Sequence, residues 1–163
     1  MTTPSRDRRV AAGFSLIELL AAAAIVGLLA SVAVPFVETT VKRQKEQALR
    51  TALNDIRAGI DAYKRAVMEE RIKVPELASG YPPALTDLVR GVGDEKNAGR
   101  PLYFLRRIPR DPFHPDPSAA PIDTWGLRSL ASSAEQPVAG EDVFDVYSTS
   151  DKTGLNGVPY REW

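Results

Sequence analysis

One carboxylate, Glu18, stands in an otherwise uncharged apolar run from Phe14 to Val37, five residues after Gly13. An acidic side chain at the centre of a membrane helix costs roughly 2.5 to 3.5 kcal/mol on insertion scales, so an ionisable group there is a functional residue by default. The competing reading places Glu18 one turn from the helix end, where it reaches the headgroups at little cost. The sole histidine, His114, lies between Phe113 and Pro115 and reads as a surface loop residue, since no Ser or carboxylate constellation is organised around it. The chain has no Gly-rich phosphate loop and no His/Cys metal spacing. Zero cysteine removes thiolate zinc sites, disulfide scaffolds and cysteine nucleophiles together. These residues predict a protein that is not an enzyme.

The elements that must hold Glu18 follow from composition and spacing. The chain has 163 residues, 21 basic and 21 acidic, and 44% hydrophobic residues, enough for one modest core. That apolar content excludes a disordered chain. The charge balance argues against nucleic-acid binding, which needs a basic excess. The balance is a sum of unlike parts: residues 38–74 carry nine basic and six acidic side chains, residues 75–163 nine basic and thirteen acidic. Opposite net charges on these two segments, a basic stem (38–74) and an acidic head (75–163), predict attraction between adjacent copies.

The 24 residues from Phe14 to Val37 follow a leader bearing Arg6, Arg8 and Arg9. At about 1.5 Å per residue they span roughly the 30 Å hydrocarbon core as a helix. Three readings compete: a secretory signal peptide cut near Ser31 and Ala33, a plain signal anchor, and an anchor processed at its own junction. Small residues at Ala21 to Ala24, Gly27, Ala30, Ser31 and Ala33 permit close helix approach in lipid, or are simply an alanine-rich span. Pro35 removes a backbone donor and predicts a kink or local unwinding near Ser31.

Beyond Pro35, apolar residues at Leu49, Ala52, Leu53, Ile56, Ile60, Tyr63 and Val67 recur at spacings of three and four, the mark of an amphipathic helix with one buried stripe. Glu46 with Arg50 and Asp61 with Arg65 are spaced at i, i+4 for helical ion pairs. No turn signal separates this segment from the apolar run, so one rod of roughly 85 Å could reach about Arg71. Pro75 ends it, and Ser79 or Thr86 caps the short helical turn that follows. GVGDEKNAG at 91–99 reads as a surface loop, and the prolines from Pro109 to Pro121 forbid regular structure there. Strands are predicted at 123–131 and 142–150, joined as a hairpin, with a third at 158–163. The fold class is therefore α+β: a long N-terminal transmembrane and amphipathic helix packed against a small antiparallel sheet. The expected divisions are a leader at 1–13, a transmembrane and assembly helix at 14–37, its amphipathic continuation at 38–74, and a head at 75–163.

Gly13-Phe14-Ser15-Leu16-Ile17-Glu18, after a short basic leader and before an apolar run, resembles the prepilin cleavage and methylation motif of the type IV pilin-like superfamily. The resemblance implies cleavage between Gly13 and Phe14 by a prepilin peptidase and N-methylation of Phe14. Glycine at position 13 lets the chain leave helical geometry without a Cβ in the way. It further implies that Glu18 pairs with the Phe14 amine of a neighbouring subunit and sets register in a helical filament, with the helix around Pro35 able to melt on assembly.

In the head, Gly80-Tyr81-Pro82, Tyr103, Leu105 to Pro109, Asp111-Pro112, Trp125-Gly126, Asp145 to Ser148 and Trp163 occur in an order similar to the major pseudopilins (G subunits) of type II secretion systems. One departure is plain: that family joins Asp-Pro directly to Trp-Gly, whereas residues 113–124 intervene here. The resemblance implies a bacterial inner-membrane, single-pass protein with a periplasmic head. Its partners would be further copies of itself, minor pseudopilins, the prepilin peptidase and an inner-membrane assembly platform, in a pseudopilus that drives protein export. It also implies a calcium ion in the C-terminal loop, for which Ser148, Asp151 and Asn156 offer oxygens; the competing reading is a capped turn around Asp151. Two other functions compete: a type IV pilin or minor pilin for adhesion, motility or DNA uptake, and a membrane-anchored periplasmic binding or sensor domain.

Overall fold

A computed structural model describes residues 15–163, in two units that meet between Val41 and Lys42. The first helix, α1, runs Leu16–Met68 and crosses that boundary. In the first unit Leu16, Leu20, Ile25, Leu28 and Phe36 are exposed. The helix continues through Pro35. Loss of one backbone donor therefore neither ends α1 nor unwinds it in the single chain, so of the expected kink or local unwinding the unwinding does not occur.

In the second unit α1 supplies one face of the core. Leu49, Leu53, Ile56 and Ile60 are at most 2% exposed, joined by Ala52, Tyr63 and Ala66. The spacing of three and four puts all of them on one side. Each large side chain so buried contributes about 1.5 to 3 kcal/mol. Leu85, Leu88, Trp125, Val143, Val146 and Tyr160 cover this stripe from the other elements. Val67, expected in the stripe, is only half-buried at its edge.

The helix stops at Met68, short of the predicted Arg71 and Pro75. Glu70 takes a left-handed backbone (φ 54°), its N–H donates to Val67 O and Arg71 N–H donates to Ala66 O. These paired bonds satisfy the last carbonyls in the manner of a Schellman motif, with glutamate where glycine is usual.

A four-residue helix, α2 (Asp87–Arg90), follows. Neither predicted cap serves it: Thr86 makes no side-chain capping bond, and Ser79 Oγ instead accepts from Tyr81 N–H. Asp87 Oδ2 reaches back to Ala84 N–H at 3.1 Å. The expected loop at 91–99 is a hairpin, β1 (Val92–Asp94) against β2 (Arg100–Leu102), with Val92 opposite Leu102. Gly91 leads into it at φ 85°, where an added Cβ would lie 2.8 Å from the Tyr103 ring.

The proline-rich connector has no strand, as expected, and closes with a 3-10 turn at Pro121–Thr124. The stretch just before the connector approaches α1 at Gly59, where an added Cβ would meet Leu105 Cγ at 3.0 Å. The interior glycine that weakens the helix thus makes room for Leu105. The second hairpin pairs β3 (Trp125–Arg128) with β4 (Asp145–Ser148), Trp125 opposite Ser148, each within its predicted run but shorter. The two hairpins form separate two-stranded sheets. The third predicted strand is a single bridge, Thr153 to Pro159, followed by a 3-10 turn at Tyr160–Glu162. The architecture is α+β: one long helix with small antiparallel sheets.

Candidate processing and assembly segment

Gly13 and Phe14 lie outside the described residues. From Ser15 onward the segment is helical in bonding, with Leu19 N–H donating to Ser15 O at 3.2 Å. Glu18 sits in the first turn of α1 and is exposed. A carboxylate there lies at the positive end of the helix dipole and beside the four N–H groups that a helix start leaves unpaired. It has no ion-pair partner among the described residues. Leu16, Ile17, Leu19 and Leu20 surround it, 56 to 76% exposed. A Cβ at Gly27 would have open space around it, so that side of the helix is bare. The helix is long and apolar enough to cross a membrane. A single acid on an uncovered apolar helix offers one specific contact, a cation brought to the same depth, and otherwise only shape.

The oxygens considered for calcium are each engaged separately or stand alone. Ser148 is buried and donates to Asp111 Oδ2 at 2.6 Å, while Asp111 Oδ1 accepts from Phe113 N–H at 2.7 Å. Asn156 Oδ1 accepts from Val158 N–H at 3.1 Å, and Asp151 is exposed. Among the described residues no group of three or more His, Asp or Glu is arranged to hold a metal. The donors do not fit a calcium cage as they stand, because Ser148 faces inward to Asp111. Asp111 with Ser148 is instead a buried fastening between the connector and β4. His114 lies in the connector, its Nδ1 accepting from Asp116 N–H at 3.3 Å.

Three polar fastenings escaped sequence reasoning. Glu46, spaced for a helical ion pair with Arg50, is 8% exposed and accepts from Tyr160 Oη at 2.9 Å and Leu155 N–H at 2.7 Å. Burial, and then the bond to Glu46, push the Tyr160 hydroxyl to a higher pKa. Arg50 instead lies 4.3 Å over the Trp163 ring. Asp94 is 1% exposed and receives Arg71 at 2.6 Å, Asn97 at 2.6 Å and Lys96 N–H at 3.1 Å. These bonds, Arg71 first, hold its carboxyl down at about 2. Arg57 reaches from α1 to Asp145 at 2.8 Å and to Val146 O and Trp163 O. The only sequence signal for any of these was the charge itself; each partner is remote in sequence or lies in a stretch that reads as loop.

Residues 8–34 match the family model described as the prokaryotic N-terminal methylation motif. No curated protein and no solved structure matches the chain significantly. The matched segment spans the leader junction and the exposed apolar half of α1. The match shows the methylation motif in that segment, at the start of a helix long and apolar enough to cross a membrane.

Proposed function

We propose that the chain is a structural pseudopilin subunit that polymerises through its N-terminal helix into a periplasmic pseudopilus driving protein export by a type II secretion system. The observation that carries this reading is the methylation-motif match over residues 8–34, with Glu18 the one charge in the apolar run from Phe14 to Val37. A prepilin peptidase hydrolyses the Gly13–Phe14 bond, and the freed Phe14 amine then takes a methyl group from a methylsulfonium donor, releasing a thioether and a proton. The protonated amine of an incoming copy then meets Glu18 of its neighbour, so a charge pair replaces two charges stranded in lipid. The subunit itself performs no catalytic step. It lies in the bacterial inner membrane with the head, residues 75–163, in the periplasm, and it works with an inner-membrane platform and minor pseudopilins. The order of head motifs from Gly80-Tyr81-Pro82 to Trp163 favours a G-type subunit.

Intact mass of the chain produced together with a prepilin peptidase tests the first step. The expected product begins at Phe14 and carries one methyl group. An uncleaved chain refutes every pilin-like reading and leaves a membrane-anchored binding or sensor domain; a chain cut after Ala33 refutes those readings too and makes the apolar run a secretory signal peptide. Processed chains that form long surface fibres, with export unchanged in a deletion strain, assign it instead to the type IV pilins.

A further inference from the structure

Next to the last turns of α1, the segment after the helix and the β3–β4 loop enclose a groove of about 610 Å³ whose lining includes Pro75, Leu77, Tyr81, Leu130, Glu141 and Asp142. Its position is fixed by Lys64, which donates to Ser79 O at 2.5 Å, and by Gly80, which packs against Lys64 and Val67. Two large apolar side chains stand open to water here, Leu77 at 100% and Leu130 at 49% exposure. The charged lining is acidic, and exposed Glu76 adds a third carboxylate between Pro75 and Leu77. Asp142 is committed to Ser129 Oγ and Leu130 N–H, but Glu76 and Glu141 have no ion pair among the described residues. Lys64 is turned to Ser79 O and the Tyr81 ring, so it does not neutralise them.

We propose that this groove receives the α1 segment around Val41–Ala48 of a second copy of the chain. That segment has the matching chemistry. Val41, Lys45 and Ala48 follow one another at i, i+4 and i+7, which puts an exposed cation between two exposed apolar side chains on one helix side. Exposed Arg43 adds a second positive charge, whereas Lys42 is tied to Thr153 O at 2.9 Å. The groove and the segment are different surfaces, so the contact is heterologous and propagates from copy to copy instead of closing a dimer. Lys45 and Lys64 are nineteen residues apart on α1, so at 1.5 Å per residue successive copies in this contact are displaced by about 29 Å along the helix axis. The proposal rests on the filament reading and adds the surface that holds one head to the next stem.

The chain has no cysteine of its own, which makes a two-site crosslink clean. Full-length Leu77→Cys/Gln44→Cys chain is processed, assembled into filaments, and treated with a short bismaleimide; both positions are exposed, and melting of the variant checks its fold. The expected result is a ladder of dimers, trimers and higher species. Adding Glu76→Lys and Glu141→Lys lowers the yield about tenfold, equivalent to about 1.4 kcal/mol. Adding Arg43→Glu and Lys45→Glu to those restores it. Filaments visible by electron microscopy without a ladder, or with one indifferent to charge reversal, overturn the groove contact while the filament reading stands. Protection of position 44 by anionic vesicles in place of a ladder assigns the segment to lipid and also overturns it. An unprocessed chain that never assembles removes both readings.

Discussion

At Glu46 a single carboxylate oxygen serves two donors, the Tyr160 hydroxyl and the Leu155 N–H. Truncation leaves both unsatisfied in a buried place, which costs about 1 to 3 kcal/mol. Glu46→Ala is therefore expected to lower the thermal midpoint of the full chain in detergent, while Glu46→Gln, which keeps an acceptor, retains most of the stability. Asp94 makes a pH prediction. Its carboxyl is held at about 2, below its ordinary 3.8, by Arg71 and Asn97. The stabilisation is complete above the ordinary value, where the unfolded carboxyl is ionised, and is lost as pH falls through about 2. Melting of the full chain between about pH 5 and pH 2 should show that loss, and Asp94→Asn should lack this portion of the acid dependence. A pH profile identical in the variant would show that Asp94 does not carry it. Neither carboxylate was legible as buried. Glu46 has Arg50 one turn away, which suggests a helical ion pair, while its real partner is 114 residues distant. Asp94 sits in GVGDEKNAG, whose polarity hides a hairpin.

The elements divide by whether their signal is local. The α1 stripe from Leu49 to Tyr63 and the runs that became β3 and β4 were readable because helical and strand periodicities are carried by adjacent residues. The end of α1 was not, because the residue that reverses the chain is Glu70 and not a glycine. A left-handed L-residue costs roughly 1 kcal/mol. Glu70→Gly is thus expected to stabilise the chain by up to about 1 kcal/mol, read as a higher melting midpoint; destabilisation would mean that the glutamate side chain contributes more than its backbone costs. Gly91 presents the opposite case. At φ 85° and with Tyr103 against it, Gly91→Ala should cost about 1 to 3 kcal/mol and loosen the β1–β2 hairpin, seen as faster amide exchange at Val92 and Leu102. The predicted third strand failed because Pro159 cannot donate to a ladder. Residues from 160 onward turn instead and place Tyr160 in the core.

Over the whole molecule, the N-terminal segment with its methylation motif was the most legible part and, from Leu16 to Leu29, the least packed. Its signal is composition and a short motif, neither of which needs a tertiary partner. The head was legible as a class but not in its fastenings, which join residues far apart in sequence. Glu18→Ala should leave processing at Gly13–Phe14 largely intact and sharply reduce filament yield, measured by sedimentation of processed chain; normal filaments would refute the pairing of Glu18 with the Phe14 amine. The core has a further consequence in time. The face of α1 from Leu49 to Ile60 is covered by Val143, Val146 and Tyr160, which a ribosome makes nearly a hundred residues later. At about 5 to 20 residues per second, that face waits roughly 5 to 20 seconds for its cover. The stem is thus synthesised as an apolar surface without a lid, and the nascent chain needs shelter from membrane or chaperone until its last strand and turn emerge.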